Sequence, residues 1–555
     1  MSFPFRSLAK SKSSSIHKPH RWKKAKTLFS QVFSKKRAAP PIQTKMMFEP
    51  LEPRILLSAD LSYATAATSE LTLLHDQSTD QYQLLDQDNV IVSSVNTADI
   101  SGVLTIQGTE GADTLSLDVD SLGSSLDIDF LGDGEDILFA ANDKDFSLGQ
   151  SELSIGTNTF GFTGIENLQL EGGDSDNTFT LKNWLGDFSI AGGLGDDSLI
   201  GSSLIDNNWI VDGQDSGYLN DQAFLSIESL FGGVDNNDTF VFEQVGSLNG
   251  VVEGGDGGFD SVVLNGDYAS VLYQATGADS GVISLDGDDI IYSGMEPITF
   301  NGTTLEYTYS GTSNDDVISI SDTITGDLEI QIVTLGVPAE TVKFTGGGPE
   351  TLIIDGFGNS SSVGDSVTFN GTIDFANQNL MVNAETISIA SGASLTNLNE
   401  VSFTALADDV SQVTTIGNIV DRIASISIAG DITATGNITL LADVLRDINI
   451  NDLTTTDIIL GGGSAIQSLA AIEIKDDADL TGASLAFTAK TRGTVLVQSL
   501  GDAGNYFTDS STVFVHDTNT SDSDEPSLSG SSISFSALSS TSYSAVGKNA
   551  LNKIT

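Results

Sequence analysis

From Leu61 onward, hydrophobic residues recur at every second position in short runs that stop at Gly, Asp or Asn. Leu115-Ser116-Leu117, Thr239-Phe240-Val241-Phe242, Ile318-Ser319-Ile320, Thr386-Ile387-Ser388-Ile389 and Ser425-Ile426-Ser427-Ile428 are examples. A period of two puts one face of an extended strand in a core and the other in water. The pairs Asn265-Gly266, Asn301-Gly302 and Asn370-Gly371 mark tight turns, because both residue types tolerate positive φ. After residue 61 a helical period surfaces only around residues 406–410. The pattern predicts an all-β chain.

Two series of internal repeats refine that prediction. In the first, Phe162-Thr163-Gly164-Ile165-Glu166-Asn167-Leu168 leads to Gly172-Gly173 and Thr178-Phe179-Thr180. Phe224-Leu225-Ser226-Ile227-Glu228-Ser229-Leu230 leads likewise to Gly232-Gly233 and Thr239-Phe240-Val241. In the second, Ile387-Ser388-Ile389 recurs as Ile426-Ser427-Ile428 and as Ile472-Glu473-Ile474. Gly-Gly pairs at 172, 192, 232 and 254 fit a coil of about 20 residues, made of three strands of about 4–5 residues and short turns. On that unit, the second series is spaced by about two coils per repeat. A coil this short cannot bury its apolar face alone, so stacking must supply the core. The expected architecture is a right-handed parallel β-helix, or β-solenoid. Tandem β-sandwich domains are the alternative, with a period near 100 residues and antiparallel strands. The stretch from Asn208-Trp209-Ile210-Val211 to Gly217-Tyr218-Leu219 resembles units of large filamentous-haemagglutinin-like bacterial proteins.

Charge divides the chain. Residues 1–54 hold 13 of the 23 Lys and Arg but only Glu49 and Glu52 among 76 acidic residues, a net of +11 against −64 for the remainder. An acidic body repels nucleic acid and anionic lipid and attracts cations. The leader has no 7–15-residue apolar stretch of the kind a secretory signal peptide needs. No run approaches the ~18 apolar residues of a membrane span. Cysteine is absent, which excludes disulfides, thiolate metal sites and cysteine nucleophiles.

At the junction of the two charge regimes stands Leu51-Glu52-Pro53-Arg54-Ile55-Leu56-Leu57-Ser58-Ala59-Asp60. It resembles the LEPR-XLL motif found near the N-terminus of very large, repeat-rich bacterial proteins thought to be exported. The resemblance implies a secreted or cell-surface protein whose export machinery reads the motif through Leu51, Glu52, Pro53, Arg54, Leu56 and Leu57. The domains expected are a basic disordered leader (1–47), the motif (48–61), a Gly/Asp-rich β-repeat region (62–375), a Ser/Ala/Thr-rich β-solenoid (376–505) and a Ser/Asp-rich tail or truncated end (506–555).

One segment carries candidate chemistry. Gly192-Gly193-Leu194-Gly195-Asp196-Asp197-Ser198-Leu199-Ile200 fits every position of the calcium-binding RTX nonapeptide. The resemblance implies glycines at positive φ, an inward Asp and an apolar residue in the core. Partial copies place Asp113, Asp136, Asp260, Asp289 and Asp316 alongside Asp196 and Asp197 as candidate calcium ligands. RTX units repeat in tandem, whereas these are solitary and about 20–40 residues apart. A shared ion therefore requires turns of neighbouring coils to align, and plain solvated Gly/Asp turns are the competing reading.

No Walker loop, Gly-x-Ser-x-Gly elbow or dinucleotide fingerprint occurs, and His75 and His516 have no ligand partner nearby in sequence. The expected function is non-catalytic: adhesion or extracellular-matrix attachment, possible polysaccharide among its ligands, with a structural stalk or layer as the alternative. A β-helix polysaccharide lyase or hydrolase ranks below both. Trp184 and Trp209 are candidates for stacking on sugars if exposed, although Trp in a strand pattern is more often core.

Overall fold

In the computed structural model the chain divides into two units, Met1–Ser58 and Ala59–Thr555. The structure describes residues 60–62 and 70–546, apart from 124, 278, 313–314, 323–327, 335–336, 346–347, 357–363, 414–420, 454–465, 476–477, 500–506, 516–526 and 540–541. The leader and the motif residues Leu51 to Leu57 lie outside the described residues.

Parallel pairing between strands far apart in sequence builds the second unit. Thr114–Leu117, Ile137–Ala141, Asn167–Glu171 and Asp187–Ala191 lie side by side, with Leu115 beside Leu138, Leu138 beside Leu168 and Leu168 beside Phe188. All four of these side chains are buried. Each coil thus lays its apolar alternation directly on that of the next, which is a β-solenoid; the parallel ladders are incompatible with tandem antiparallel sandwiches. In-register stacking also lines up aromatic rings inside the core. Phe146 lies on Phe179 at 4.8 Å, Trp209 on Phe240 at 5.4 Å and Tyr273 on Tyr309 at 4.8 Å.

The first half of the stack carries a feature that the alternation did not reveal. Antiparallel three-strand meanders interrupt the parallel coils. They run through Glu70–Asp76, Gln81–Asp86 and Ile91–Asn96; Phe146–Gly149, Glu152–Ile155 and Asn158–Thr163; Asn208–Gly213, Ser216–Leu219 and Gln222–Leu225; Ser261–Ala275, Ser280–Leu285 and Asp288–Ser293; and Asp316–Asp322, Leu328–Thr334 and Val337–Phe344. Beyond them a second, five-stranded sheet begins at Thr372–Asp374, which among the described residues pairs on one side only, with Ser394–Leu398.

Several expectations need correction. Ile387 pairs directly with Ile426, and Ile426 with Ile472, so 39 and 46 residues make one coil, not two. The extra length goes into strands such as Val401–Val413 (13 residues) and Ile438–Leu453 (16 residues), longer than the four or five expected. Residues 406–410 are part of the first of these strands, not a helix; Val401, Phe403, Ala405 and Ala407 are buried at period two. The one α-helix among the described residues is a single turn, Val119–Leu122, whose N-cap Asp118 accepts a bond from the Ser121 N–H. Parallel pairing also continues beyond residue 505. Phe507–Val515 lies on Ile466–Ile474, Ile533–Ser539 on Leu485–Arg492, and Ser542–Val546 on Thr494–Ser499.

The end of the 48–61 segment joins the stack. Leu61 is fully buried and pairs with Ile106, while an Asp60 carboxylate oxygen accepts the Thr105 N–H at 3.0 Å.

Candidate functional site

The Gly/Asp turns occupy the corners of the coils, and they stack. Gly193 and Gly195 sit at φ +112° and +116°, in the region glycine adopts without strain. A side chain at 193 would overlap the Gly173 carbonyl of the turn beneath. Leu199 enters the core, as the nonapeptide pattern requires. The turn 192–197 rests on the turn 172–177, with the Leu194 N–H donating to the Gly173 carbonyl at 2.9 Å. Alignment of neighbouring turns, the condition set by the solitary repeats, is therefore met at this corner.

The inward carboxylates have a use that residue spacing alone did not disclose. The Asp113 N–H donates to Asp136 Oδ1 at 2.8 Å, and the Asp136 N–H donates to Glu166 Oε2 at 2.9 Å. The Asn177 N–H donates to Asp197 Oδ1 at 2.6 Å, and the Asp197 N–H to Glu228 Oε2 at 2.6 Å. Next, the Asn207 N–H donates to Asp238 Oδ1 at 2.7 Å, and the Asp238 N–H to Asp260 Oδ1 at 2.7 Å. Further along, the Asp316 N–H donates to Asp365 Oδ1 at 2.9 Å, and the Gly364 N–H to a Glu385 carboxylate oxygen. Each corner is a short ladder in which one coil's carboxylate holds the backbone of the coil before it. Other oxygens close the turn itself: Asp113 Oδ2 accepts the Thr109 N–H at 2.6 Å, Asp238 Oδ2 the Gly233 N–H at 2.5 Å, and Asp316 Oδ2 the Thr312 N–H at 2.5 Å.

Burial is nearly complete. Asp197, Asp238 and Asp316 have no exposed surface, and Asp113, Asp136, Asp260 and Asp365 are buried. Desolvation, reinforced by neighbouring carboxylates, pushes Asp197 and Asp260 up to about 6 and Asp365 up to about 7. It also raises Asp136, Glu228, Asp238 and Glu385. The Oδ2 oxygens of Asp197 and Asp365 have no hydrogen-bond partner among the described residues, so no donor offsets the cost of charge on them.

Of the seven Asp residues singled out from sequence, Asp113, Asp136, Asp197, Asp260 and Asp316 are ladder positions. Asp196 and Asp289 are exposed. The Asp196 N–H donates to Asp176 Oδ1 at 2.9 Å. Asp289 belongs to the hairpin strand Asp288–Ser293 opposite Ser284, after a turn with Asp286 and Gly287 at positive φ, so its Gly/Asp spelling reflects a hairpin. Among the described residues no three His, Asp or Glu side chains cluster as a metal site. Trp184 and Trp209 are both buried, which removes them as sugar platforms. His75 does have a partner: its Nε2 lies 3.1 Å from Asp80 Oδ1. Glu166 and Glu228, not chosen as site residues, were visible as the invariant Glu of the first repeat series; Asn177, Asn207, Asp238 and Asp365 carried no such mark.

No helix among the described residues is long and apolar enough to cross a membrane. No family model, no curated protein and no solved structure matches this chain.

Proposed function

We propose that the chain is a non-catalytic, exported bacterial scaffold that works by attachment, to a surface or to extracellular matrix, with its export read from the motif at residues 51–57. The observation that carries this reading is the fate of the acidic residues. Five of the seven placed for chemistry at the Gly-rich corners are spent inside the stack: Asp136, Asp197 and Asp260 each grip a backbone amide of the adjacent coil, and Asp113 and Asp316 close their own turns. Outside, a repetitive acidic surface remains, suited to many weak contacts that add through effective concentration. A stalk or layer without a ligand of its own is the alternative within the same class.

Calcium is a second reading with one observation in its favour. Asp197 Oδ2 has no protein donor and lies at a corner where two glycine-rich turns stack. Calcium requires six to eight oxygens, so turn carbonyls would have to supply most of them; Asp197 and Asp196 are the side chains available to add to that set.

Two measurements on the full chain test the proposal. Antibody should label intact, unpermeabilised producing cells, and beads coated with the purified chain should adhere to polysaccharide-coated surfaces. Labelling only after permeabilisation, or beads that bind no better than uncoated ones, would overturn it. Melting with calcium and with a chelator tests the second reading, which fails if the two curves coincide.

A further inference from the structure

The solenoid changes architecture near residue 370, and the change leaves a groove. Three long strands lie side by side there: Ser261–Ala275, Ile298–Ser310 and Gly348–Asp355. The next coil adds Thr372–Asp374, the first strand of the five-stranded sheet, with no strand of that sheet before it among the described residues. Residues 376–379, which follow, line one cavity together with residues of the long strands. Between them is a groove of about 580 Å³, within the range of about 300–1,000 Å³ that small-molecule sites occupy.

Its lining departs from the rest of the surface. In a body that carries 74 acidic side chains, the groove has a single carboxylate, Glu350. Asn377, Gln378, Asn379 and Asn399 form one wall; Thr303 and Thr304, Tyr268, Leu305 and Pro349 form the other and the floor. The deeper amides are already ordered, since Asn399 Nδ2 donates to Asn379 Oδ1 at 2.8 Å and Asn379 Nδ2 to Thr351 Oγ1 at 3.1 Å. Asn377 is held at φ +72° at the exposed rim. The side chains of Asn377 and Gln378 make no hydrogen bond to another described residue. Each amide offers two donors and an acceptor, which suits hydroxyl groups that donate and accept at once. The exposed Leu305 supplies the apolar surface on which the C–H face of a sugar ring rests, with the buried Tyr268 and Pro349 behind it.

We infer that this groove binds a neutral oligosaccharide segment, with Asn377 and Gln378 as its hydrogen-bonding rim. An anionic polysaccharide would meet Glu350 and the acidic field around it with no basic side chain in the lining to offset them. The inference rests on the attachment reading and gives it a site and a ligand class.

The test is calorimetric titration of the full chain with maltohexaose, cellohexaose and xylohexaose, and with tetragalacturonate as the anionic probe. At least one neutral hexasaccharide should bind and tetragalacturonate should not. Asn377→Gly combined with Gln378→Ala keeps the positive-φ turn accessible and should weaken binding by about ten-fold, the effect of losing two modest hydrogen bonds. Leu305→Glu, a change at an exposed rim position, should weaken it as well, and melting curves of both variants should stay at the wild-type position. Failure of all three neutral sugars to bind, unchanged affinity in both variants, or equal binding of tetragalacturonate would overturn the inference. Bead adhesion that persists in the variants after sugar binding is lost leaves the groove standing and moves attachment elsewhere. Sugar binding by a chain that never reaches the cell surface leaves the groove standing and removes attachment.

Discussion

Substituting Asp197 separates the two jobs of a ladder residue, accepting an amide hydrogen bond and hiding a titratable group. Asp197→Ala removes the acceptor of the buried Asn177 N–H and should cost about 1–3 kcal/mol in acid, the desolvation penalty of an unmade bond, a deficit against wild type that narrows as pH rises and wild-type Asp197 ionises. Asp197→Asn keeps an oxygen in place and removes only the titration. Asn already takes the corresponding position of the turn beneath, where Asn177 Oδ1 accepts the Gly173 N–H at 2.7 Å. The folded-state pKa of Asp197 is raised to about 6 from an unfolded value near ~3.9. The folded state therefore favours the protonated form; its stabilising contribution is complete below about pH 4 and is lost as pH rises through about 6. That elevation corresponds to at most about 3 kcal/mol, and solvent screening at a corner trims it to about 1–2 kcal/mol. Urea titrations at pH 4.5 and 7.5 provide the readout. Asp197→Asn should match wild type at the lower pH and exceed it by about 1–2 kcal/mol at the higher, while Asp197→Ala should be weaker than Asp197→Asn at both and weaker than wild type at the lower. Relief of surface repulsion stabilises all three proteins alike in acid, so the difference between the slopes of wild type and Asp197→Asn is decisive. Identical slopes, or an Asn variant as weak as the Ala variant at pH 7.5, would refute the account of a buried neutral carboxyl.

The reverse exchange should not be tolerated. Asn207 Nδ2 donates to Asp238 Oδ1 at 2.8 Å, so Asn207→Asp would set two carboxyls against each other and cost about 1–3 kcal/mol in urea unfolding at pH 7.5, less in acid. Gly193→Ala should lose about 2 kcal/mol or more, because its φ is unfavourable and its Cβ meets the Gly173 carbonyl; hydrogen exchange should report the loss first at residues 172–197. Trp209→Ala empties a fully buried position stacked on Phe240, with an expected cost of about 3–5 kcal/mol by urea unfolding followed by circular dichroism.

The alternation of Leu115, Leu138 and Leu168 was enough to read strands and a stacked core, because burial on one face forces period two whichever way the neighbour runs. For the same reason it could not tell a meander from a parallel leg. Ser216–Leu219 lies antiparallel between its neighbours, whereas Thr239–Phe242 lies parallel, yet both alternate. Coil length was misread at Ile387, Ile426 and Ile472 because strands of 13 and 16 residues contain within themselves the apolar spacing of two short ones. At the candidate site, the positive-φ glycines and the inward Asp of residues 192–200 were legible, since local geometry dictates them. The partner of that Asp was not. The Asn177 amide comes from another coil, 20 residues away, and a carboxylate that faces an N–H is spelled no differently from one that faces an ion.

The ladders have a direction, and it bears on how the chain acquires its structure. A corner side chain grips an amide that precedes it, at a separation of 20 to 31 residues in most cases. Nothing further downstream is needed to make that bond. Each coil can dock as soon as it clears a narrow exit, with the coil already formed acting as its template. Such a chain has low demands for distant closure at each step despite its length. Order can spread coil by coil from any coil already formed, like a zip, with no need to wait for the final residue.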